Sequence, residues 1–227
     1  MKKCFFIPVI LVLLFTGCKS ISLSELRPSS KNTKLLPALE PKVNIMSLES
    51  AYSSGTSNVE VSTYNSKLSN SSYMGIGSST TTSIKDKRVQ DAITIFERDV
   101  TENITNPFGE KKGSITCRIV AGEQSMKDRW LWATAFSACT LNLLGIPLYS
   151  TVTNIDVEVE IYTKNDHLIG KYSATGYSKI WVALYWGYDE SSASRKSAFT
   201  ALKMALNEIK LKIQDDNDRL THELTES

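Results

Sequence analysis

A chain of 227 residues with 26 basic and 24 acidic side chains carries a formal charge of only +2, and two of its lysines, Lys2 and Lys3, sit ahead of an apolar run at the start. Without those two the balance is 24 against 24, which removes any general electrostatic reason to bind nucleic acid. A hydrophobic share of 41% is ordinary for a globular chain, and the length suits one domain with a tether, or at most two small domains.

Behind Lys2 and Lys3 the sequence is apolar from Phe5 to Phe15, broken only by Pro8, and then reads Phe15-Thr16-Gly17-Cys18. A charged start, a short apolar stretch and small residues before a cleavage point are the parts of a secretory signal peptide. The 11 apolar positions fall short of a bilayer-spanning helix. The segment resembles the bacterial lipobox, departing from it at Phe15, where leucine is usual. That resemblance implies a diacylglyceryl group on the Cys18 sulfur, cleavage just before it by a dedicated peptidase, and acylation of the new amine. The competing reading is an ordinary signal peptide with a chance cysteine near its end. The expected division is a signal peptide at 1–17, a lipidated tether at 18–42, one domain at 43–214 with a Ser/Thr-rich loop near 65–83, and an acidic flexible tail at 215–227.

Within the domain, Val43, Ile45 and Ser47 alternate and suggest a first strand; Val59 and Val61 suggest a second. Val89, Ala92, Ile93, Phe96, Val100 and Ile104 recur at three- and four-residue steps and predict an amphipathic helix, closed by Pro107-Phe108-Gly109. Alternation of Ile115, Cys117, Ile119 and Ala121 with polar neighbours predicts a half-buried strand over 114–121. The clearest strand has Ile155, Val157, Val159 and Ile161 on one face and Asp156, Glu158 and Glu160 on the other. Lys164-Asn165-Asp166-His167 supplies turn residues, and 168–181 returns as a long strand in which Gly170 and Gly176 allow bends or bulges. Ser192 or Ser194 is placed to cap a last helix whose seam is Phe199, Leu202, Leu206, Ile209 and Ile213. The expected fold class is therefore α+β: an antiparallel sheet of four or more strands with two amphipathic helices packed on one face.

From Trp130 to Ile155 no charged residue occurs. Trp130, Trp132 and Tyr149 flank an apolar stretch, as at a membrane span, but Thr134, Ser137, Thr140 and Asn142 dilute it, and Gly145 and Pro147 interrupt it. Burial in the core, contact with a bilayer surface or contact with a partner all suit such a segment. With Tyr185, Trp186 and Tyr188, and with Trp181 beside them, Trp130 and Trp132 form the candidate partner or lipid surface, because Trp and Tyr favour places apolar at one end and wet at the other. Cys117 and Cys139 are either a disulfide pair or two buried thiols; no CxxC and no nearby histidine marks a zinc or redox site.

Catalytic seeds are few. His167 falls in the predicted turn and His222 in the tail, and no GxSxG, HExxH, P-loop or GxGxxG occurs. Asp189-Glu190 is an adjacent pair in a turn, and the Asp156, Glu158, Glu160 row reads as the wet face of a sheet before it reads as a cation site. No catalytic residue, metal site or cofactor is therefore assigned.

Gly170-Lys171-Tyr172, the segment Ala183-Leu184-Tyr185-Trp186-Gly187-Tyr188 and the alanine-bearing last helix give the chain a loose resemblance to small bacterial envelope lipoproteins, the auxiliary lipoproteins of lipid-transport and outer-membrane-assembly systems. The resemblance implies an envelope lipoprotein, anchored through Cys18 in the outer membrane and facing the periplasm, that binds a protein or lipid partner without catalysis. It transfers no functional residue. The alternative is a periplasmic, hydrolase-like enzyme with a site built from scattered acids.

Overall fold

The computed structural model describes residues 21–27, 33–53, 87–127, 136–137, 142, 146–183 and 188–226. Cys18, Val59 and Val61, the 65–83 span, Trp130, Trp132, Cys139, Tyr185 and Trp186 lie outside them. Strands β1 (Leu39–Val43), β2 (Gly113–Lys127), β3 (Tyr149–Thr163) and β4 (Leu168–Val182) make one sheet in the order β1-β2-β3-β4. Helices α1 (Ile45–Ser53), α2 (Lys87–Asp99), α3 (Glu190–Asp215) and α4 (Asn217–Glu226) complete the described regular structure, with a short 3-10 turn at Leu23–Leu26.

The class is α+β, but two details of the expectation are corrected. The sheet is mixed, since β1 joins β2 in parallel while β2, β3 and β4 are antiparallel. There are four helices rather than two among the described residues. A parallel pair needs a crossover connection, and α1 and α2 lie on the chain between β1 and β2. The strand expected over Val43, Ile45 and Ser47 is half strand and half helix. Asn44 accepts a hydrogen bond from the Ser47 backbone N–H at 3.1 Å, which caps α1 and turns the chain out of the sheet. Three alternating residues are too few to separate a period of two from the start of a helix.

The hairpin β3–β4 forms as expected. Thr163 N–H donates to the His167 carbonyl at 2.9 Å, and Asp166 takes φ 57°, a left-handed conformation that a short polar side chain tolerates. The two glycines of β4 have different uses. At Gly170 the register slips, Ile161 pairing with Gly170 and Tyr162 with Leu168, so a bulge is present. At Gly176 the reason is close approach: a Cβ there would lie 1.9 Å from the Ala201 carbonyl oxygen of α3. Gly176→Ala should therefore lift α3 from the sheet and cost about 1–3 kcal/mol as an overpacked core does. An unchanged urea midpoint would show that the helix yields freely.

Strand β2 runs six residues past the expected end. A register shift between Ile119 and Ala121 breaks the alternation there, which is why the pattern stops while the pairing continues to Lys127. The periodic helices bury their predicted stripes: Val89, Ala92 and Phe96 from α2, and Phe199, Leu202, Leu206, Ile209 and Ile213 from α3, pack with Ile115, Ile155, Val157, Val159 and Ile161 of the sheet in one core. Val100 and Ile104 continue the α2 stripe through a π-helical turn, Val100–Ile104. The cap of α3 is Asp189, not Ser192 or Ser194; its carboxylate accepts from the Ser192 N–H at 2.5 Å and is held below the usual carboxylate range by that bond.

Both expected appendages are corrected. The tail at 215–227 is largely the helix α4, fixed because Leu220 and Leu224, four apart on one side, are fully buried in the core. The described part of the tether at 18–42 also belongs to the fold: Leu26, Leu36 and Leu39 are core residues, and Ile21 packs against the core. A few leucines among Ser, Lys and Pro hold no period over any length, so the sequence pattern does not reveal their burial.

Candidate functional site

The sheet has two chemically different ends. At one, called here the hairpin end, β3 turns into β4 and ion pairs gather: Lys164–Glu110 at 2.5 Å, Lys111–Glu40 at 3.3 Å, Lys171–Glu160 at 3.2 Å and, beside α4, Lys34–Asp218 at 2.9 Å. At the other, the Trp181 end, β2 and β4 finish and β3 begins, so Lys127, Ser150 and Trp181 stand in one row and Ser125, Val152 and Lys179 in the next. Side chains one row apart on neighbouring or the same strand share a face at every second residue, which places Lys127, Lys179 and Trp181 together on the face away from the helices.

Trp181 is 39% exposed, and the Lys179 ammonium lies over its ring, 4.2 Å from the centroid. A cation on an indole face is attracted by the ring quadrupole, and the lysine stem covers apolar surface as its head stays in water. Beyond the reach of the helices, Met126 is exposed on the opposite face. Phe136 is exposed as well.

Beneath this end lies a small second cluster, Val182, Tyr188 and Ala193, with Ile21, Tyr149 and Ile180 packed against it. Tyr188 is thus a buried packing residue. Its backbone bridges Val182, its ring lies under the Lys196 ammonium at 4.3 Å, and its hydroxyl takes a hydrogen bond from the same group. This corrects Tyr188 as a member of the exposed surface: an amphipathic ring serves a covered site equally well when its hydroxyl is partnered. Lys196 also pairs with Glu25 at 2.8 Å, which fastens the N-terminal 3-10 turn to the start of α3. Burial, reinforced by the charge of Glu190, pushes the Tyr149 hydroxyl up to about 12.

The acidic row of β3 does not gather as a cation site. Glu158 is paired with Arg118 at 2.5 Å and Lys171 at 2.9 Å, Asp156 accepts from Thr175 at 2.7 Å, and Glu160 accepts from Tyr162 at 2.7 Å. That tyrosine bond, with Lys171 behind it, lowers the Glu160 carboxyl. Among the described residues no group of three or more His, Cys, Asp or Glu is placed to hold a metal ion. Cys117 is a free, buried thiol whose burial pushes its pKa to about 12. Among the described residues no helix is long and apolar enough to cross a membrane.

The Lys179–Trp181 stack and the packing of Ile21 at this end had no clear signal in the sequence. Lys179 sits two residues before Trp181 on a strand, which is the only pattern that could have pointed to the pair. No protein-family model matches this sequence, and no curated protein is similar enough to match it.

Proposed function

We propose that this chain is a lipid-anchored protein of the bacterial envelope, acylated at Cys18 and held at the outer membrane facing the periplasm. Its domain binds a protein or lipid partner through an aromatic and apolar surface, without catalysis. The observation that carries this reading is the position of Ile21. The chain is already packed against the domain three residues after the lipobox-like Cys18, which supports an anchor point close in sequence to a folded unit. The exposed Trp181 and its lysine, at the same end, supply the apolar and amphipathic chemistry that such a surface uses.

The competing enzyme reading draws on scattered acids, and the partners of the acidic row on β3 favour the binding reading. Asp156, Glu158 and Glu160 are each occupied by a hydroxyl or a basic partner on one sheet face, where an enzyme wants a pocket with convergent, unspent groups.

Three acyl chains exceed the two signals needed for stable anchoring, so the wild-type protein should stay with membranes through a high-salt wash. Cys18→Ser should leave an uncleaved or mislocalised precursor that takes up no labelled palmitate. Incorporation at the wild-type level in that variant would end the lipoprotein reading.

A further inference from the structure

We propose that the Trp181 end of the sheet is the face that rests on the lipid surface, with Trp181, Lys179, Lys127 and Met126 at headgroup level and the β3–β4 hairpin pointing away. This orientation rests on the anchoring of Cys18 proposed above and goes beyond it, because an anchor alone does not say which way a domain faces.

Chain length gives the first argument. Three residue steps separate Cys18 from Ile21, at most about 11 Å when fully extended. Ile21 packs against the cluster of Val182, the last residue of β4, with Tyr188 and Ala193, where Tyr149, the first residue of β3, and Ile180 also pack, and it reaches the edge of the main core as well. The lipid-bearing residue is therefore confined to the neighbourhood of the Trp181 end. The hairpin, at the far end of a 15-residue strand, is about 45 Å away at the usual rise per residue.

Surface chemistry gives the second argument. An exposed indole with a lysine stacked on it is an interfacial pair: the ring favours the headgroup region and the ammonium reaches phosphate or water. Lys127 stands in the Trp181 row and adds a second cation on the same face. Lys196, by contrast, is spent on Glu25 and Tyr188. Glu123, Asp189 and Glu190 are also at this end and exposed, so net positive charge is not the driving force; the anchor and the indole are. At the hairpin end the surface is built of ion pairs, including Lys164–Glu110 and Lys171–Glu160, whose charges are best served by water. The two ends thus differ in the sense that an upright domain on a bilayer requires.

The test uses the acylated full-length protein reconstituted in phosphatidylethanolamine/phosphatidylglycerol vesicles. An environment-sensitive fluorophore is attached at Lys127→Cys or, separately, at Asp166→Cys in the hairpin, both in a Cys139→Ser background. Cys117 is buried with a raised pKa and stays unlabelled. Both labelled positions are exposed, and because residue 166 has a left-handed backbone that suits aspartate better than cysteine, thermal melts check that the fold survives. The expected result is severalfold stronger quenching of the 127 label than of the 166 label by brominated lipids, with aqueous iodide giving the reverse order. Equal quenching at the two positions, or stronger lipid quenching at 166, overturns the orientation while the anchoring reading stands. A 127 label shielded from iodide yet untouched by brominated lipid also overturns it, and assigns this end to contact between copies of this chain. Protein that fails to float with the vesicles refutes the anchoring reading itself, and the orientation falls with it.

Discussion

Asp99→Ala should remove about 3–5 kcal/mol of stability, because it breaks a buried ion pair from one side. The Lys210 ammonium lies 2.9 Å from Asp99 Oδ1, and both side chains are only 2% exposed. Asn103 donates to the same oxygen at 2.7 Å, so the carboxylate satisfies two donors at once. Taking the carboxylate away leaves a lysine between α2 and α3 with its chief counter-charge gone. Lys203, whose ammonium burial already pushes down, lies close enough to Lys210 for their like charges to be felt. The double replacement Asp99→Leu with Lys210→Met should recover most of the loss, since well-packed apolar residues often equal a buried ion pair. Urea denaturation of the domain decides it. A midpoint for Asp99→Ala equal to wild type would mean that the pair opens to water.

The second large effect is expected at the helix seam. Leu206 and Phe96 are fully buried on α3 and α2 and meet in the same core as the sheet. Leu206→Ala and Phe96→Ala should each cost about 2–5 kcal/mol, the lost transfer energy plus the cavity left behind. Leu206→Asp should prevent stable folding altogether. It exchanges that burial for an unpaired carboxylate, against a total stability of about 5–15 kcal/mol for an ordinary domain. Far-UV circular dichroism and denaturant titration of the three variants give the ranking. If Leu206→Ala and Leu206→Asp unfold at the same midpoint, residue 206 does not face the core.

The helix-seam prediction was legible because it stands on periodicity, whereas the Asp99–Lys210 pair joins residues 111 apart in sequence and has no periodic signal. The stripes from Val89 to Ile104 and from Phe199 to Ile213, and the alternation from Ile155 to Ile161, repeat often enough to define one buried face each. What escaped depended on partners distant in sequence. Whether β1 runs parallel or antiparallel to β2 is decided by where the chain returns, not by the five residues Leu39–Val43 themselves. Leu26 and Leu36 read as solvated spacers because a single leucine has no period, yet the core closes over both. The α4 helix hid for the same reason, with Leu220 and Leu224 as its lone apolar pair in a polar stretch. At the candidate surface, composition located the aromatic region but could not sort Tyr188, which is covered, from Trp181, which is not. That sorting is made by Lys196 and Glu25, one on α3 and one in the N-terminal turn.

Among the described residues strand β4 is an edge, and a fifteen-residue edge strand would ordinarily invite another chain to zip onto it. Here both of its extremities are occupied by the chain's own groups. Arg219 donates to the Ile169 carbonyl at 2.8 Å and Lys212 to the Ser173 carbonyl at 2.7 Å, while Tyr188 bridges Val182 at the other extremity. Between them the Ser197 hydroxyl donates to the Ser178 carbonyl at 3.5 Å, so what is left open among the described residues, around Thr175 to Tyr177, is too short to hold a register well. The side chains of α3 and α4 are in this respect a guard against self-aggregation, and their loss would be felt first at high protein concentration.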